Sequence, residues 1–367
     1  MIRLKGYSSD ETMLYIVIDA DVNQNDLDCS YNYLLKKDNS LISLTLNNTY
    51  QIEYVGEEII EIDDVIEVNG SGIVRILYSD NMDESSLFIT SKCNSNCIMC
   101  PSSDFSRKND VMPDLNYLLE ILRYYPNSLK QLTITGGEQF IIKKELFAIF
   151  EYIKNNKTEL NCLLLTNGRA FCLNSYVDHF LKYSPKNMVL GIPLHGSNSN
   201  IHDHIVRSEG AFDQTVIGIS NLLKNNVPIE LRIVPSKLNI DDIDNICDLI
   251  INNFRNVFKV TFISLEMLGN SLKNKDKVWI PIVDILKVVQ PNIEKLIKNG
   301  INVDLYNFPL CLVNKKFYNI YKNSILQDKI KYSDKCEKCA KRNECGGLFF
   351  SSLKFAYDEL KPFEYEN

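Results

Sequence analysis

"CNSNCIMC", residues 93–100, follows directly on the strand-like run "SLFIT", residues 86–90, and places three cysteines in eight positions. The spacing is three residues and then two, in a loop that leaves a strand. Three thiolates so spaced hold three corners of an iron-sulfur cubane and leave the fourth iron without a protein ligand. Closed zinc sites take four protein ligands, and this loop has no local fourth. An open iron binds and reduces a small molecule, whereas clusters built only for electron transfer close all four positions. A zinc knuckle is the competing reading of the loop taken alone.

The chain has 367 residues, 45% of them hydrophobic and 24% charged. That is ordinary for a folded globular protein and long enough for two or three structural units. A net charge of -7 argues against a protein whose main business is coating nucleic acid, which needs a basic field. No stretch has signal-peptide character or approaches the roughly 18 apolar residues of a membrane span. The expected location is therefore cytoplasmic, with no membrane partner. In a reducing compartment the eleven cysteines are ligands or buried thiols rather than disulfides. Cys29, Cys162, Cys172 and Cys247 stand alone and read as core or incidental residues. Cys311, Cys336, Cys339 and Cys345 form a second group.

Working outward from the first loop, residues 1–83 alternate short apolar runs ("MLYIVI", "LISLTL", "YQIEYV", "GIVRILY") with polar turns, the period-two pattern of a β-rich domain. This domain holds no cluster of chemically capable residues. It reads either as a recognition unit that adds an extended peptide to an open sheet edge or as a stabilising cap. From Ser86 the rhythm becomes strand, loop, helix, repeated. A helix is expected from Pro113 to Tyr124, with Leu115, Leu118, Leu119 and Leu122 on one stripe. Six strand–helix units in succession imply an α/β fold with a parallel sheet, open or curled into an incomplete barrel. This unit spans 84–304, and a cysteine-bearing extension fills 305–367.

Gly136-Gly137-Glu138 ends the second strand of this repeat. Two glycines let a ligand approach the backbone, and a carboxylate accepts hydrogen bonds from an ammonium group. Arg232 in "ELRIV" and Glu266 in "SLEMLGN" lie at or near strand ends, the rim where barrel enzymes assemble their sites. Arg232 is a candidate partner for a cofactor carboxylate, with a solvated or salt-bridged arginine as the alternative. His202, Asp203 and His204 suggest a metal site, but i, i+2 spacing does not put both rings on one helical face; they read as loop or helix-start residues. Cys336-x2-Cys339-x5-Cys345, read alone, is a zinc-ribbon fragment. With Cys311 there are four cysteines, enough to close a second four-iron cluster.

The loop at Cys93, Cys97 and Cys100 resembles the CxxxCxxC loop of the radical S-adenosylmethionine (SAM) enzymes, and Gly136-Gly137-Glu138 resembles that family's GGE motif. The resemblance implies a partial (β/α)6 barrel, a SAM-binding 4Fe-4S cluster on the three cysteines, and reductive cleavage of S-adenosyl-L-methionine to a 5′-deoxyadenosyl radical. It also implies ribose contacts near Thr166-Asn167-Gly168, which makes Asn167 a cofactor candidate. The run at Cys336, Cys339 and Cys345 resembles the auxiliary iron-sulfur extensions called SPASM or twitch domains. No cysteine follows in the remaining 22 residues, so one auxiliary 4Fe-4S cluster is expected, not two. Over "GIPLHG", "GAFDQTVIGI", "LEMLG", "LYNFPLC" and "KCEKCAKRNECGGLFFSS" the chain is similar to the C-type radical maturases of His-Xaa-Ser peptide-modification systems. That likeness implies a ribosomally made precursor peptide as substrate, a reductant such as flavodoxin or ferredoxin, and a second maturase as partner. A radical enzyme acting on a nucleoside, RNA or other small molecule is the alternative.

Overall fold

The computed structural model describes residues 1–55, 59–102, 112–325 and 329–365. Its N-terminal strands are β1 (Ile2–Lys5), β2 (Met13–Asp19), β3 (Tyr33–Lys37), β4 (Ser40–Ser43), β5 (Thr49–Tyr54), β6 (Val65–Val68) and β7 (Ile73–Tyr78). They form a closed barrel in the order β1-β5-β4-β3-β2-β6-β7, sealed where Ile2 and Arg3 pair with Val74 and Ile73. Alternate residues such as Leu4, Tyr15, Val17, Leu34 and Ile66 fill the interior, as period-two patterning requires.

Closure overturns the expectation of an open edge for peptide addition. A barrel spends its edge hydrogen bonds on itself, and the β1–β7 pairing that does so joins segments about 70 residues apart, beyond the reach of local pattern. The barrel instead rests on the next unit: the Tyr31 and Tyr124 rings meet edge to face at 5.0 Å, Arg123 lies 4.8 Å over Tyr31, and the Asn32 N–H donates to the Tyr124 hydroxyl at 2.9 Å.

The second sheet is parallel throughout and strictly sequential: β8 (Glu84–Thr90), β9 (Gln131–Gly136), β10 (Asn161–Leu165), β11 (Met188–Pro193), β12 (Ile229–Ile233), β13 (Lys259–Ile263), β14 (Val303–Tyr306) and the two-residue β15 (Tyr321–Lys322). It curls into a half-barrel. The helices are α1 (Leu115–Tyr124), α2 (Lys143–Asn156), α3 (Asn174–Tyr183), α4 (Ser199–Val206), α5 (Ala211–Lys224), α6 (Ile243–Asn253), the short α7 (Gly269–Lys273) and α8 (Lys275–Val278), and α9 (Ile282–Lys298); α4, α7 and α8 pack on the loop after β8, and α1, α2, α3, α5, α6 and α9 cover the outer face. Leu132, Ile134, Leu164, Leu190, Leu231 and Phe262 point to these helices and form the core. Helix α1 begins two residues later than the proline suggested. The Asp114 carboxylate accepts from the Asn116 N–H at 2.8 Å, and this side-chain cap sets the first turn. A small antiparallel pair, β16 (Ile330–Lys331) with β17 (Leu348–Phe349), frames the C-terminal cysteines.

Candidate functional site

All the motif-bearing loops leave the carboxyl ends of parallel strands, so topology gathers them on one rim. The loop after β8 carries Cys93, Cys97 and Cys100, each half-buried. Its two apolar residues are its anchors: Ile98 and Met99 are buried against Ile205, Leu265, Met267 and Val278. Its backbone is pinned from two sides. Asn96 and Ile98 donate their N–H groups to Val206 and Ile205 carbonyls at the end of α4, at 3.1 and 2.8 Å. From the other side Asn270, 1% exposed, donates its amide to Asn96 Oδ1 (2.9 Å) and to the Cys97 carbonyl (3.1 Å), and its backbone N–H to the Cys100 carbonyl (2.9 Å). The backbone bound this way carries the three thiols on one short stretch at the rim.

The Gly-Gly-Glu motif is packed against the root of the same loop. Gly137 and Glu138 donate their N–H groups to the carbonyls of Thr90 (2.7 Å) and Lys92 (2.6 Å). A Cβ on Gly137 would stand 2.0 Å from the Lys92 oxygen, and one on Gly136, whose φ is +148°, 2.3 Å from the Thr90 oxygen. The glycines are thus demanded first by chain against chain. Glu138 is 2% exposed. Its carboxylate accepts from the Thr166 hydroxyl (2.8 Å), the Asn167 N–H (2.7 Å) and the Phe140 N–H (3.2 Å), which ties the end of β9 to the end of β10. Burial pushes its pKa up, against the lowering by these donors. Asn167 reaches the cysteine loop itself, donating to Asn94 Oδ1 at 2.6 Å.

Sequence reasoning missed Arg169. Its guanidinium donates to the Asn94 carbonyl (3.1 Å), the Ser95 hydroxyl (3.1 Å), the Ser208 hydroxyl (2.9 Å) and Gln214 Oε1 (2.7 Å), clamping the loop between two of its cysteines. Asn270 and Asn274 were missed for the same reason: nothing in their neighbourhood marks them as contacts of residues more than 170 positions away.

Other candidates diverge from this group. The polar contact of the Arg232 side chain among the described residues is an ion pair with Glu230, two residues down β12, not with the cysteine loop. Glu266 stands on the rim after β13, 3.6 Å from Lys329. His202 is buried in α4, 5.7 Å ring to ring from His195, while His204 faces outward and the Asp203 carboxylate caps the Gly210 and Phe212 N–H groups, both at 2.7 Å. The stretch belongs to a helix, with its two rings on different faces.

Three thiols on a pinned loop at the carboxyl rim of a curled parallel sheet, with a Gly-Gly-Glu turn at its root, match a known arrangement. Residues 87–250 match the Radical SAM superfamily. The chain carries a radical SAM domain. The chain is 27% identical over 215 residues to GTP 3',8-cyclase of Clostridium perfringens (strain SM101 / Type A), covering 57% of this chain and 64% of the cyclase. It is 22% identical over 175 residues to the sporulation killing factor maturation protein SkfB of Bacillus subtilis (strain 168), covering 47% and 40% of the two chains. Among solved structures, native anSMEcpe with bound AdoMet and Cp18Cys peptide superimposes with a TM-score of 0.52 at 16% identity, over 76% of this chain and 92% of that one. This last likeness concerns the fold.

Beyond the radical SAM domain, the four remaining grouped cysteines come together. Cys311, on the turn after β14, and Cys336, Cys339 and Cys345 line one pocket, walled by Tyr332, Leu348, Leu353 and Phe363 among others. Backbone N–H groups of Leu310 and Phe363 point at Cys345 Sγ and Cys339 Sγ, both at 3.4 Å. Burial pushes the Cys311 thiol up to about 11. Soft thiols ringed by N–H donors suit an iron-sulfur cluster. Among the described residues no three His, Cys, Asp or Glu side chains converge as closely as a single ion requires. The module docks on the segment that pins the first loop: Ser352 Oγ donates to the Leu265 carbonyl and accepts from the Met267 N–H, each at 3.0 Å. No helix among the described residues is long and apolar enough to cross a membrane.

Proposed function

We propose that the chain is a radical SAM enzyme that cleaves S-adenosyl-L-methionine reductively and abstracts hydrogen from a ribosomally made precursor peptide, installing a modification. The observation that carries this is the pinned loop of Cys93, Cys97 and Cys100 at the carboxyl rim. Those thiols would hold a 4Fe-4S cluster, which when bound would supply the electron for cleavage. The chain's own residues do the rest: Asn270, Asn274 and Arg169 hold the loop, Gly136 and Gly137 bring the end of β9 against its root, and Glu138 orders the Thr166–Asn167 backbone beside it. Gly136, Gly137, Glu138, Asn167, Arg232 and Glu266 are the proposed cofactor surroundings. Cys311, Cys336, Cys339 and Cys345 are proposed to hold one auxiliary cluster. The working division is a barrel over 1–83, the radical SAM unit over 84–304 and the auxiliary extension over 305–367. A reductant of the flavodoxin or ferredoxin type, with a second maturase, completes the proposed system.

Support for the peptide comes from the likeness to SkfB and from the auxiliary cysteines; the likeness to the cyclase supports radical chemistry without a peptide. Anaerobically reconstituted protein is expected to hold about eight irons, two cubanes of four. Replacing Cys93, Cys97 and Cys100 together by alanine removes about half of them and all 5′-deoxyadenosine formation. Continued formation of 5′-deoxyadenosine by that variant refutes the proposal.

A further inference from the structure

An all-parallel sheet normally buries both faces under apolar side chains, and this one does not. Its outer face is the core, whereas the inner face alternates to Glu84, Ser86, Gln131, Thr133, Glu230, Arg232, Lys259, Thr261, Asp304 and Tyr306 on β8, β9 and β12–β14, most of them half-buried, with the apolar Leu163, Leu165 and Val189 between them on β10 and β11. A largely polar, half-buried inner face in a curled sheet lines a hollow. Glu84, Lys259, Glu230 and Asp304 stand at the first or second residue of their strands, with Arg232 and Tyr306 nearer the carboxyl rim where the cysteine loop stands.

Its charges are already matched. Glu230, 4% exposed, pairs with Arg232 and lies 3.4 Å from Lys259. Lys259 also meets Asp304 at 2.8 Å, donates to the Tyr306 hydroxyl at 3.4 Å and lies 5.4 Å over that ring. Strand register enforces the arrangement, setting Glu230 opposite Lys259, Arg232 opposite Thr261, and Thr261 opposite Asp304. Arg232 and Lys259 are thus neutralised by carboxylates on their own or neighbouring strands. Further round, Glu84 adds a third carboxylate, bonded to Gln131 at 2.9 Å. In the middle of the quartet the Thr261 hydroxyl is buried and has no hydrogen-bond partner.

On β12–β14 a polyphosphate would meet carboxylates, and the two cations there, Arg232 and Lys259, each already have one. Like charges brought together across a desolvated surface repel one another. We propose that this inner face, built on Glu230, Arg232, Lys259, Thr261, Asp304 and Tyr306, is a substrate-recognition surface that accepts a non-anionic peptide segment and rejects phosphate-bearing substrates. It rests on the peptide reading above and narrows it by charge.

The test uses the full-length protein at low ionic strength, titrated calorimetrically with inorganic tripolyphosphate, GTP, and blocked dodecapeptides of Gly-Ser-Lys or Gly-Ser-Glu repeats. Wild type is expected to bind the lysine peptide at least tenfold more tightly than the glutamate peptide, and Glu230→Gln to narrow that gap. Asp304→Asn frees Lys259 from one carboxylate, so tripolyphosphate should bind at least tenfold more tightly than to wild type, and Asp304→Asn/Lys259→Met should erase the gain. The inference is overturned if wild type binds GTP or tripolyphosphate and loses it in Lys259→Met, or if Asp304→Asn gains nothing. It is equally overturned if wild type prefers the glutamate peptide, a comparison that needs no variant to fold. Because the readout is binding, a protein that shows the expected charge preference yet modifies no peptide sinks the peptide reading alone. A reversed preference with peptide modification intact sinks this inference alone.

Discussion

Arg169→Met tests whether the cysteine loop is held from outside. The substitution keeps an apolar stem of similar reach and removes the donors to the Asn94 carbonyl, Ser95, Ser208 and Gln214. Two of these bonds bear directly on the loop. Hydrogen bonds to a charged group contribute about 1.5–3 kcal/mol each, and solvent screening of the half-exposed arginine takes the pair below twice the lower value, to about 1.5–3 kcal/mol together. That agrees with the roughly 10–100-fold loss of metal affinity that follows removal of an outer partner of a metal ligand. The assay is iron release from anaerobically reconstituted protein against rising chelator. About half of the iron should leave at a roughly 10–100-fold lower chelator concentration, and the rest as in wild type, because Arg169 touches nothing at the second cysteine group. Arg169→Lys should restore little, since one ammonium cannot span four acceptors that a planar fork spans. A release curve identical to wild type, with an unchanged cluster spectrum, would mean the arginine is incidental.

Further outcomes follow from other contacts. In the N-terminal barrel Asp64 is fully buried with one carboxylate oxygen unpaired, and burial raises its pKa from 3.8 to about 6. Folding therefore favours the protonated form: the stability it lends is whole below pH 3.8 and is lost as pH rises through 6. Asp64→Asn should leave thermal stability at pH 4 near wild type and raise it at pH 7.5 by roughly 3 kcal/mol or less; a variant less stable at pH 7.5 contradicts this. Gly137→Ala forces a Cβ to 2.0 Å from the Lys92 oxygen, so it should reduce 5′-deoxyadenosine formation at least tenfold while circular dichroism is preserved. Replacing Cys336 and Cys339 should leave some uncoupled cofactor cleavage and abolish peptide modification, measured by mass spectrometry; normal product would make the second group ornamental. Deletion of residues 1–83 uncovers Tyr124 and Arg123, so the truncated chain should aggregate, as light scattering would show. A monodisperse truncated protein would restore an independent role for the barrel.

What the sequence determined by itself was what local spacing encodes. Cys93, Cys97 and Cys100 lie within eight residues of one another, so the three thiols are neighbours whatever the rest of the chain does. The β-rich start and the strand–helix repeat follow from periods of two and 3.6 in side-chain direction, and the repeat implies right-handed parallel crossovers with all loops on one rim. Even the second cysteine group was legible as a set, once Cys311 was counted with the three that follow it. Tertiary structure decided whatever depends on which strands meet. Barrel closure rests on Ile2 finding Val74, so a domain that looked open-edged has spent its edges. Arg169 and Asn270 hold the cysteine loop across separations of 75 and 174 residues, and no local pattern distinguishes them from any other loop arginine or asparagine. Arg232 was visible as a strand-end cation; its neutralisation by Glu230, and the further tie of Glu230 to Lys259, exist only because β12 and β13 are adjacent in that register. Spacing along a chain survives in the unfolded state and can be read there. Charge pairing across a sheet comes into being only when long-range strand order is set, and it is this pairing that decides what the hollow can accept.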